Sequence, residues 1–316
     1  MFGKKLVKTS NDWKIRRRNF QPLENPLEYE DELSNGAVTK QFAVLGHPIG
    51  HSLSPVMHNA AFRALGMDAN YTAIDVPPEN LMAELASMAE KGFGGVNLTV
   101  PLKEVAAKGL EKLDESAQAM GAVNTVQFTP SGMVGYNTDG EGFLRAFEEA
   151  FGTPVSGKSV FVMGTGGAGR ALALSCAGSG VLTIKLCDLD QTRAKKLAME
   201  LETQYFVQDV EVVDPSGAPS MAKKCDVVIQ STPVGMKKED ASPLPSEAFR
   251  EGQLAFDLIY MYPETAFMKA AQQGGAKASN GLGMLLHQGA RAFEIWTGVT
   301  PPVDVMRAAL ETEVYG

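Results

Sequence analysis

A lysine, an aspartate and a set of small amides and hydroxyls recur through the first half of this chain in a pattern suited to a polyhydroxylated small molecule. The run Asn97–Glu104, NLTVPLKE, offers Asn97, Thr99 and Lys103 at what reads as the end of a strand. Downstream, AVNT at Ala122–Thr125 and NTDG at Asn137–Gly140 add Asn124, Asn137 and the carboxylate of Asp139, with almost no bulky side chain among them. Upstream, GHPIGHSLSPVMH at Gly46–His58 contributes Ser52 and Ser54 on one side of a short extended piece before a helix. Buried hydroxyls must each find a partner, so such a lining recognises them one by one and rejects ligands that lack them. Taken alone, a lysine past a proline is usually solvated and an Asp before Gly usually marks a turn. The polar company of Lys103 and Asp139 argues for more.

The elements that must position these groups follow from hydrophobic periodicity. From Phe42 the chain alternates: a strand (FAVLG), a helix after Pro55, a strand near Tyr71–Val76, a helix over Pro78–Lys91 and the strand ending in NLTV. Such alternation predicts an α/β layer with a parallel sheet. Leu81, Leu85 and Met88 share one helical face and read as core. Glu111–Ala119 reads as a further helix. A second unit follows: a helix ending at Phe151, a strand at Ser159–Met163, the turn GTGGAG at Gly164–Gly169, a helix from Arg170, a strand at Leu182–Cys187 and a helix through Ala198. G-x-G-x-x-G between strand and helix is the setting in which backbone amides and a helix N-terminus hold a pyrophosphate. Further strands are expected near Val210–Val213, Asp226–Gln230 and Leu254–Leu258.

These strings together resemble the shikimate dehydrogenase family, including its quinate/shikimate-oxidising members. The likeness covers roughly Phe42–Pro302 and rests on SxSP at Ser52–Pro55, N-x-T-x-P-x-K, AVNT, NTDG, the glycine turn and NGLGML-x-x-Q at Asn280–Gln288. It implies a two-domain α/β enzyme: a substrate-binding catalytic domain over 41–141, completed by 284–316, and a Rossmann-type dinucleotide-binding domain over 142–283. Helices near Met284–Thr297 and Val303–Glu313 would make the return. Oxidising a secondary alcohol needs a proton acceptor beside the hydroxyl as hydride leaves its carbon. The resemblance assigns Lys103 and Asp139 to that task, without saying which takes the proton. It also implies that Ser52, Ser54, Asn97, Thr99, Asn124, Asp139, Tyr260 and Gln288 bind substrate, with Ser52 and Ser54 facing its carboxylate. Gly164, Gly166, Gly167, Ala168, Gly169, Thr232, Pro233, Leu258 and Gly281 would hold the dinucleotide, the STPVGM loop at Ser231–Met236 lying along it.

Cofactor choice is where this chain departs from the commonest family pattern, an Asn-Arg-Thr-like run that embraces the 2′-phosphate of NADP. Asp188, Leu189 and Asp190 stand there instead. A carboxylate can accept from both ribose hydroxyls but repels a phosphate, so NAD is favoured, with NADP left open through Arg193 and Lys195. Asp188 and the run DLIYMYPET at Asp257–Thr265 look like NAD-linked quinate/shikimate members, which makes NAD-dependent quinate/shikimate oxidation the rival activity. A non-catalytic sensor of NAD or a cyclic acid would not need both Lys103 and Asp139. A folate-type methylene dehydrogenase would not explain AVNT, NTDG and NGLGML together.

Length and composition bound the rest. At 316 residues and 44% hydrophobic, the chain can bury the cores of two domains, and its net charge of −8 argues against nucleic acid as partner. Cys176, Cys187 and Cys225 lie too far apart for a CxxC-type metal site, so no metal is expected and the thiols read as reduced and mostly buried. His47, His51, His58 and His287 read as packing or capping residues. With no apolar run long enough for a bilayer and no signal-peptide core, the protein is expected in the cytoplasm, as a monomer or homodimer. The first forty residues, basic at Lys14–Arg18 and acidic at Glu28–Glu32, read as a polar arm with no core of its own.

Overall fold

The computed structural model describes residues 39–316; the expectations for the charged N-terminal arm lie outside the described residues. The chain begins with β1 (Lys40–Gly46), α1 (Ser54–Ala64), β2 (Ala69–Asp75), α2 (Leu81–Glu90), β3 (Gly95–Leu98), α3 (Lys103–Gly109), β4 (Lys112–Leu113), α4 (Glu115–Met120), β5 (Thr125–Thr129) and β6 (Gly132–Tyr136). These strands form a six-stranded sheet in the order β2-β1-β3-β5-β6-β4. Its β1, β2 and β3 are parallel, as expected, but β5 runs antiparallel to both β3 and β6. The sheet is therefore mixed rather than parallel. A hairpin with Gly132 at φ +112° makes that reversal, a backbone region that favours glycine.

Helix α5 (Asp139–Phe151) leads to the second sheet through β7 (Ser159–Met163), α6 (Gly167–Gly178), β8 (Thr183–Cys187), α7 (Gln191–Gln204), β9 (Asp209–Val213), α8 (Ala218–Ala222), β10 (Val227–Gln230), β11 (Leu254–Asp257), α9 (Ala266–Gln273) and β12 (Lys277–Ser279). All its strands are parallel, in the order β12-β11-β10-β7-β8-β9. The direction of winding reverses between β7 and β10, and ligands of open α/β sheets bind outside the strand ends at such a point. The central strands read VFVM, VVIQ and LAFD and are buried on both faces, which is why they lack alternation.

The chain returns through α10 (Leu282–Thr297) and α11 (Val303–Tyr315). Helix α10 crosses α5 where Gly142 faces Gln288: a Cβ on Gly142 would lie 2.7 Å from the Gln288 nitrogen, so only glycine allows this approach. Leu81, Leu85 and Met88 are buried in the core beneath the first sheet, as their spacing predicts. The single helix expected over Glu111–Ala119 is instead β4 followed by α4. Asp114 accepts from the Ser116 amide and caps α4, so the chain is extended before it. Among the described residues no helix is long and apolar enough to cross a membrane. No group of three or more His, Cys, Asp or Glu among them is arranged to hold a metal ion.

Candidate active site

A cavity of about 370 Å³ opens between the two sheets. Its lining includes Ser52, Ser54, Asn97, Thr99, Lys103, Asn124, Asp139, Tyr260, Gln288, Leu258 and Gly281, so all eight side chains expected to bind substrate converge there with two of the residues expected at the dinucleotide. His51 lines it too.

Lys103 opens α3 and Asp139 opens α5, each one short step past a strand end rather than on it. Their side chains meet, with Lys103 Nζ 2.6 Å from Asp139 Oδ2 and both partly shielded. Placing a carboxylate in the first turn of α5 complements the positive end of that helix. The other carboxylate oxygen accepts from Asn124 Nδ2 at 2.9 Å. Asn124 is itself fixed: its Oδ1 accepts from the Thr138 amide at 2.8 Å, and its Nδ2 also donates to Thr138 Oγ1 at 2.9 Å. Gln288 Nε2 donates to the Leu285 carbonyl at 2.8 Å, leaving Oε1 directed to Asn124 at 3.5 Å.

Asn97 is more committed than its expected role suggests. Both amide hydrogens are used inside the wall, on the Asn124 carbonyl at 3.1 Å and Thr125 Oγ1 at 3.0 Å. Its oxygen accepts from the Tyr71 hydroxyl at 2.7 Å. Asn97 can thus offer a ligand one acceptor lone pair and no donor. Ser52 and Ser54 flank the start of α1, with the Ser54 amide 3.4 Å from Ser52 Oγ. Tyr260 enters from the loop after β11. That loop is pinned by Asp257, which stands in the DLIYMYPET run but has no role expected from sequence. Its buried carboxylate accepts from Thr265 Oγ1 at 2.6 Å and the Ile259 amide at 3.1 Å, and burial pushes its pKa up to about 6 against those two bonds. Asp–x₇–Thr spanning an irregular run is the signal that could have found it.

Of the histidines, His47 pairs with Asp75 at 2.7 Å and His287 with Glu149 at 2.8 Å, while His58 is wholly buried. The three thiols are free and buried.

Across the cleft, the glycine turn joins β7 to α6, which begins at Gly167 rather than at Arg170 because the glycines themselves form its first turn. Gly164 has φ +90°, and a Cβ on Gly169 would lie 2.0 Å from the Gly164 carbonyl oxygen, so neither position accepts a side chain. By contrast, a Cβ on Gly167 would meet nothing within 4 Å, and Ala168 beside it is exposed. The space over the helix N-terminus is therefore open and bordered by backbone N–H groups, which fits a pyrophosphate. Ser231 Oγ bonds the Met163 and Gly164 carbonyls at 2.8 and 2.7 Å, tying the STPVGM loop to this turn, with Thr232 half-buried and Pro233 exposed beyond it. Gly281 abuts Leu258 closely, a Cβ there falling 2.2 Å from its carbonyl oxygen.

Asp188 ends β8 as expected, but its carboxylate is already engaged. Oδ2 accepts from the Thr165 amide and hydroxyl at 2.6 and 2.8 Å, and Oδ1 from the Asp190 amide at 2.8 Å. Burial would raise its pKa, but these bonds and the nearby Arg193 charge hold it below the usual carboxylate value. Leu189 is 91% exposed, and Arg193 pairs with Asp190 at 3.2 Å.

Known proteins agree with this geometry. The model of the shikimate dehydrogenase substrate binding domain matches residues 44–126, and that of the shikimate 5′-dehydrogenase C-terminal domain matches 281–311. A Methanopyrus kandleri protein named shikimate dehydrogenase (NADP(+)) is 42% identical over 88% of this chain and 97% of its own length. The chain belongs to the shikimate dehydrogenase family. Its fold agrees with solved shikimate dehydrogenases. That of Thermus thermophilus, in complex with NADP(H) and shikimate, superposes with a TM-score of 0.77 at 39% identity, covering 86% of this chain and 99% of the other. Quinate dehydrogenase from Corynebacterium glutamicum, in complex with NAD, gives 0.81 at 31% identity, covering 87% and 99%. The Methanopyrus kandleri protein and a Moorella thermoacetica protein 43% identical to this chain are both named as NADP(+) enzymes, which does not support the preference for NAD read from Asp188.

Proposed function

We propose that the protein is a shikimate dehydrogenase that interconverts shikimate and 3-dehydroshikimate with a nicotinamide dinucleotide. The Lys103–Asp139 pair in the wall of the interlobe cavity carries this reading, because an alcohol seated there has a cation and a carboxylate within reach of its proton. Residues 41–141 with 284–316 hold the substrate and 142–283 the dinucleotide. Ser52 and Ser54 donate hydroxyls to the substrate carboxylate, joined by Tyr260, while Thr99 and Gln288 take the ring hydroxyls, with Asn124 joining them by turning one amide hydrogen away from Thr138 or Asp139. Lys103 and Asp139 together hold the reacting hydroxyl and take up its proton as the carbon loses hydride. Bound along Gly164–Gly169, the dinucleotide supplies the hydride acceptor. The three buried thiols fit a reducing, cytoplasmic setting.

For the dinucleotide's adenosine end, the relatives' names point to NADP⁺ and the residues after β8 point to NAD⁺. We give the chain's own residues the greater weight. Asp188 keeps a fixed negative charge just past β8, the strand end at which folds of this kind receive the adenosine ribose, and the exposed Leu189 brings no cation to offset it. Arg193, the nearest cation by sequence, already serves Asp190. Quinate, the rival substrate, appears in the name of the less similar Corynebacterium protein and is not the favoured reading.

A steady-state screen of shikimate and quinate against NAD⁺ and NADP⁺ tests all of this. Shikimate with NAD⁺ should give the highest kcat/KM, and Asp188→Asn with Leu189→Arg should swing the ratio toward NADP⁺, each charge-assisted contact being worth about 1.5–3 kcal/mol. A wild-type enzyme already favouring NADP⁺ would overturn the cofactor assignment and leave the activity standing.

A further inference from the structure

Behind the Lys103–Asp139 pair runs a series of buried polar side chains that ends on a tyrosine with no place in the lining of the cavity. Tyr71 lies in β2, 1% exposed, among the rings of Phe42, Phe62, Phe293 and Trp296. Its hydroxyl meets Asn97 Oδ1 at 2.7 Å, and the Ser54 hydroxyl in the cavity lining is its other hydrogen-bonding neighbour.

The direction of every bond in the series follows from groups that can act in only one way. A backbone N–H can only donate, so the Thr138 amide fixes the oxygen of the Asn124 side chain and turns its nitrogen toward Asp139 Oδ1. A backbone carbonyl can only accept, so the Asn124 carbonyl fixes the nitrogen of Asn97 and turns its oxygen toward Tyr71. Thr125 Oγ1 receives a hydrogen from Asn97 Nδ2 and passes its own to Asn124 Oδ1, each at 3.0 Å. The hydrogens therefore all point one way, from Tyr71 through Asn97, Thr125 and Asn124 to the carboxylate of Asp139.

The ring of Tyr71 is held as firmly as its hydroxyl. His58 stacks on it with centroids 4.4 Å apart and planes 10° from parallel. Neither nitrogen of that imidazole has a hydrogen-bond partner among the described residues, and burial lowers its pKa to about 3, so it packs as a neutral ring. A phenylalanine at position 71 would fill the same space at a lower desolvation cost. What it would lack is a donor for Asn97 Oδ1 and a partner for the Ser54 hydroxyl.

We propose that Tyr71 is a positioning residue for the reaction: its hydroxyl secures the Asn97 amide and, through Thr125 and Asn124, holds the Asp139 carboxylate against Lys103. The proposal rests on the functional reading above and extends it to a residue behind the cavity wall.

The test is a cycle of Tyr71→Phe, Thr125→Val and the double variant in steady-state oxidation of shikimate. Tyr71→Phe should lower kcat about tenfold or more, the scale on which small misplacements of a reacting group act. The KM for dinucleotide should stay within about twofold, while that for shikimate should rise a fewfold, because Ser54 loses its tyrosine neighbour. In the Thr125→Val background, the tyrosine change should cost nothing further in kcat, because the series is already cut. Dinucleotide titration and thermal melting check the fold of each variant. If Tyr71→Phe melts too low to assay, Thr125→Val alone must show the kcat loss with both KM values kept. Wild-type kcat in Tyr71→Phe, losses that multiply in the double variant, or a change confined to melting temperature would each overturn the proposal. Wild-type turnover of shikimate decides the functional reading, whereas the variant-to-wild-type ratio decides this one, so the two fail separately.

Discussion

The two walls of the cleft are built on opposite principles. On the substrate side, function is carried by side chains whose hydrogen bonds are already committed to one another, from Asn97 and Asn124 to the Lys103–Asp139 pair. On the dinucleotide side it is carried by backbone: Gly164 and Gly169 make the turn by lacking side chains, and Gly167 leaves the space above it clear. The first wall is specific because moving one group unpairs others. The second binds a constant feature, a pyrophosphate, and needs shape more than chemistry. Substitutions should therefore act through bonding on one wall and through space on the other.

The largest effect is expected on the bonded wall. Lys103→Ala should lower turnover by roughly 10²–10⁴ with shikimate KM much less disturbed, and Asp139→Asn should do similar damage by removing charge while keeping size. Retained turnover at saturating shikimate in either variant would break the contrast. On the spatial wall, Gly169→Ala brings a methyl to 2.0 Å from the Gly164 oxygen and 2.4 Å from Ser231 Oγ. Overpacking of this kind costs about 1–3 kcal/mol of stability, so the melting temperature should fall, and the displaced turn should also weaken dinucleotide binding in a fluorescence titration. Gly167→Ala serves as its control and should leave the melting temperature where it was, since nothing stands within 4 Å of the added carbon.

The smallest effect sharpens the comparison through pH, because on each side one buried group is shifted within the acidic range, in opposite sense. Burial lowers His58 from 6.5 to about 3, so the unfolded chain binds its proton more readily and stability falls as pH drops below 6.5. Burial raises Asp257 from 3.8 to about 6, so the folded state keeps its proton more readily; that stabilisation is full below 3.8 and is lost as pH rises through 6. Relative to wild type, His58→Phe should gain stability on acidification and Asp257→Asn should gain it on going from about pH 4 to 6, each by at most about 1.4 kcal/mol per pH unit. Urea denaturation across that range measures both. Curves parallel to wild type would mean that neither site is as dry as its packing implies.

Much of this contrast can be read from the chain alone, and the exceptions have physical causes. The glycine wall is legible because backbone demands write themselves directly as glycines between a strand and a helix. The carboxylate–lysine pair is legible in kind from NLTVPLKE and NTDG, although both residues start helices rather than end strands. The β5–β6 hairpin is hidden because its strands are short, only partly buried and interleaved with the polar strings of the site. Tyr71 is invisible for a different reason: an aromatic residue in a strand reads as core, and its partner Asn97 lies 26 residues away. Asp188 is legible at the end of β8, but its bonds to Thr165 depend on how the turn folds back, which no local pattern encodes.

The cysteines, finally, make the protein unusually convenient to instrument. Burial pushes the thiols of Cys176, Cys187 and Cys225 up to about 12, 11 and 11, so at neutral pH scarcely any thiolate is available to an alkylating reagent. A cysteine introduced on an exposed helix face would be the group a maleimide dye finds first. Two such dyes, one on α2 and one on α7, would report the width of the cleft during turnover in a molecule that keeps all its native thiols.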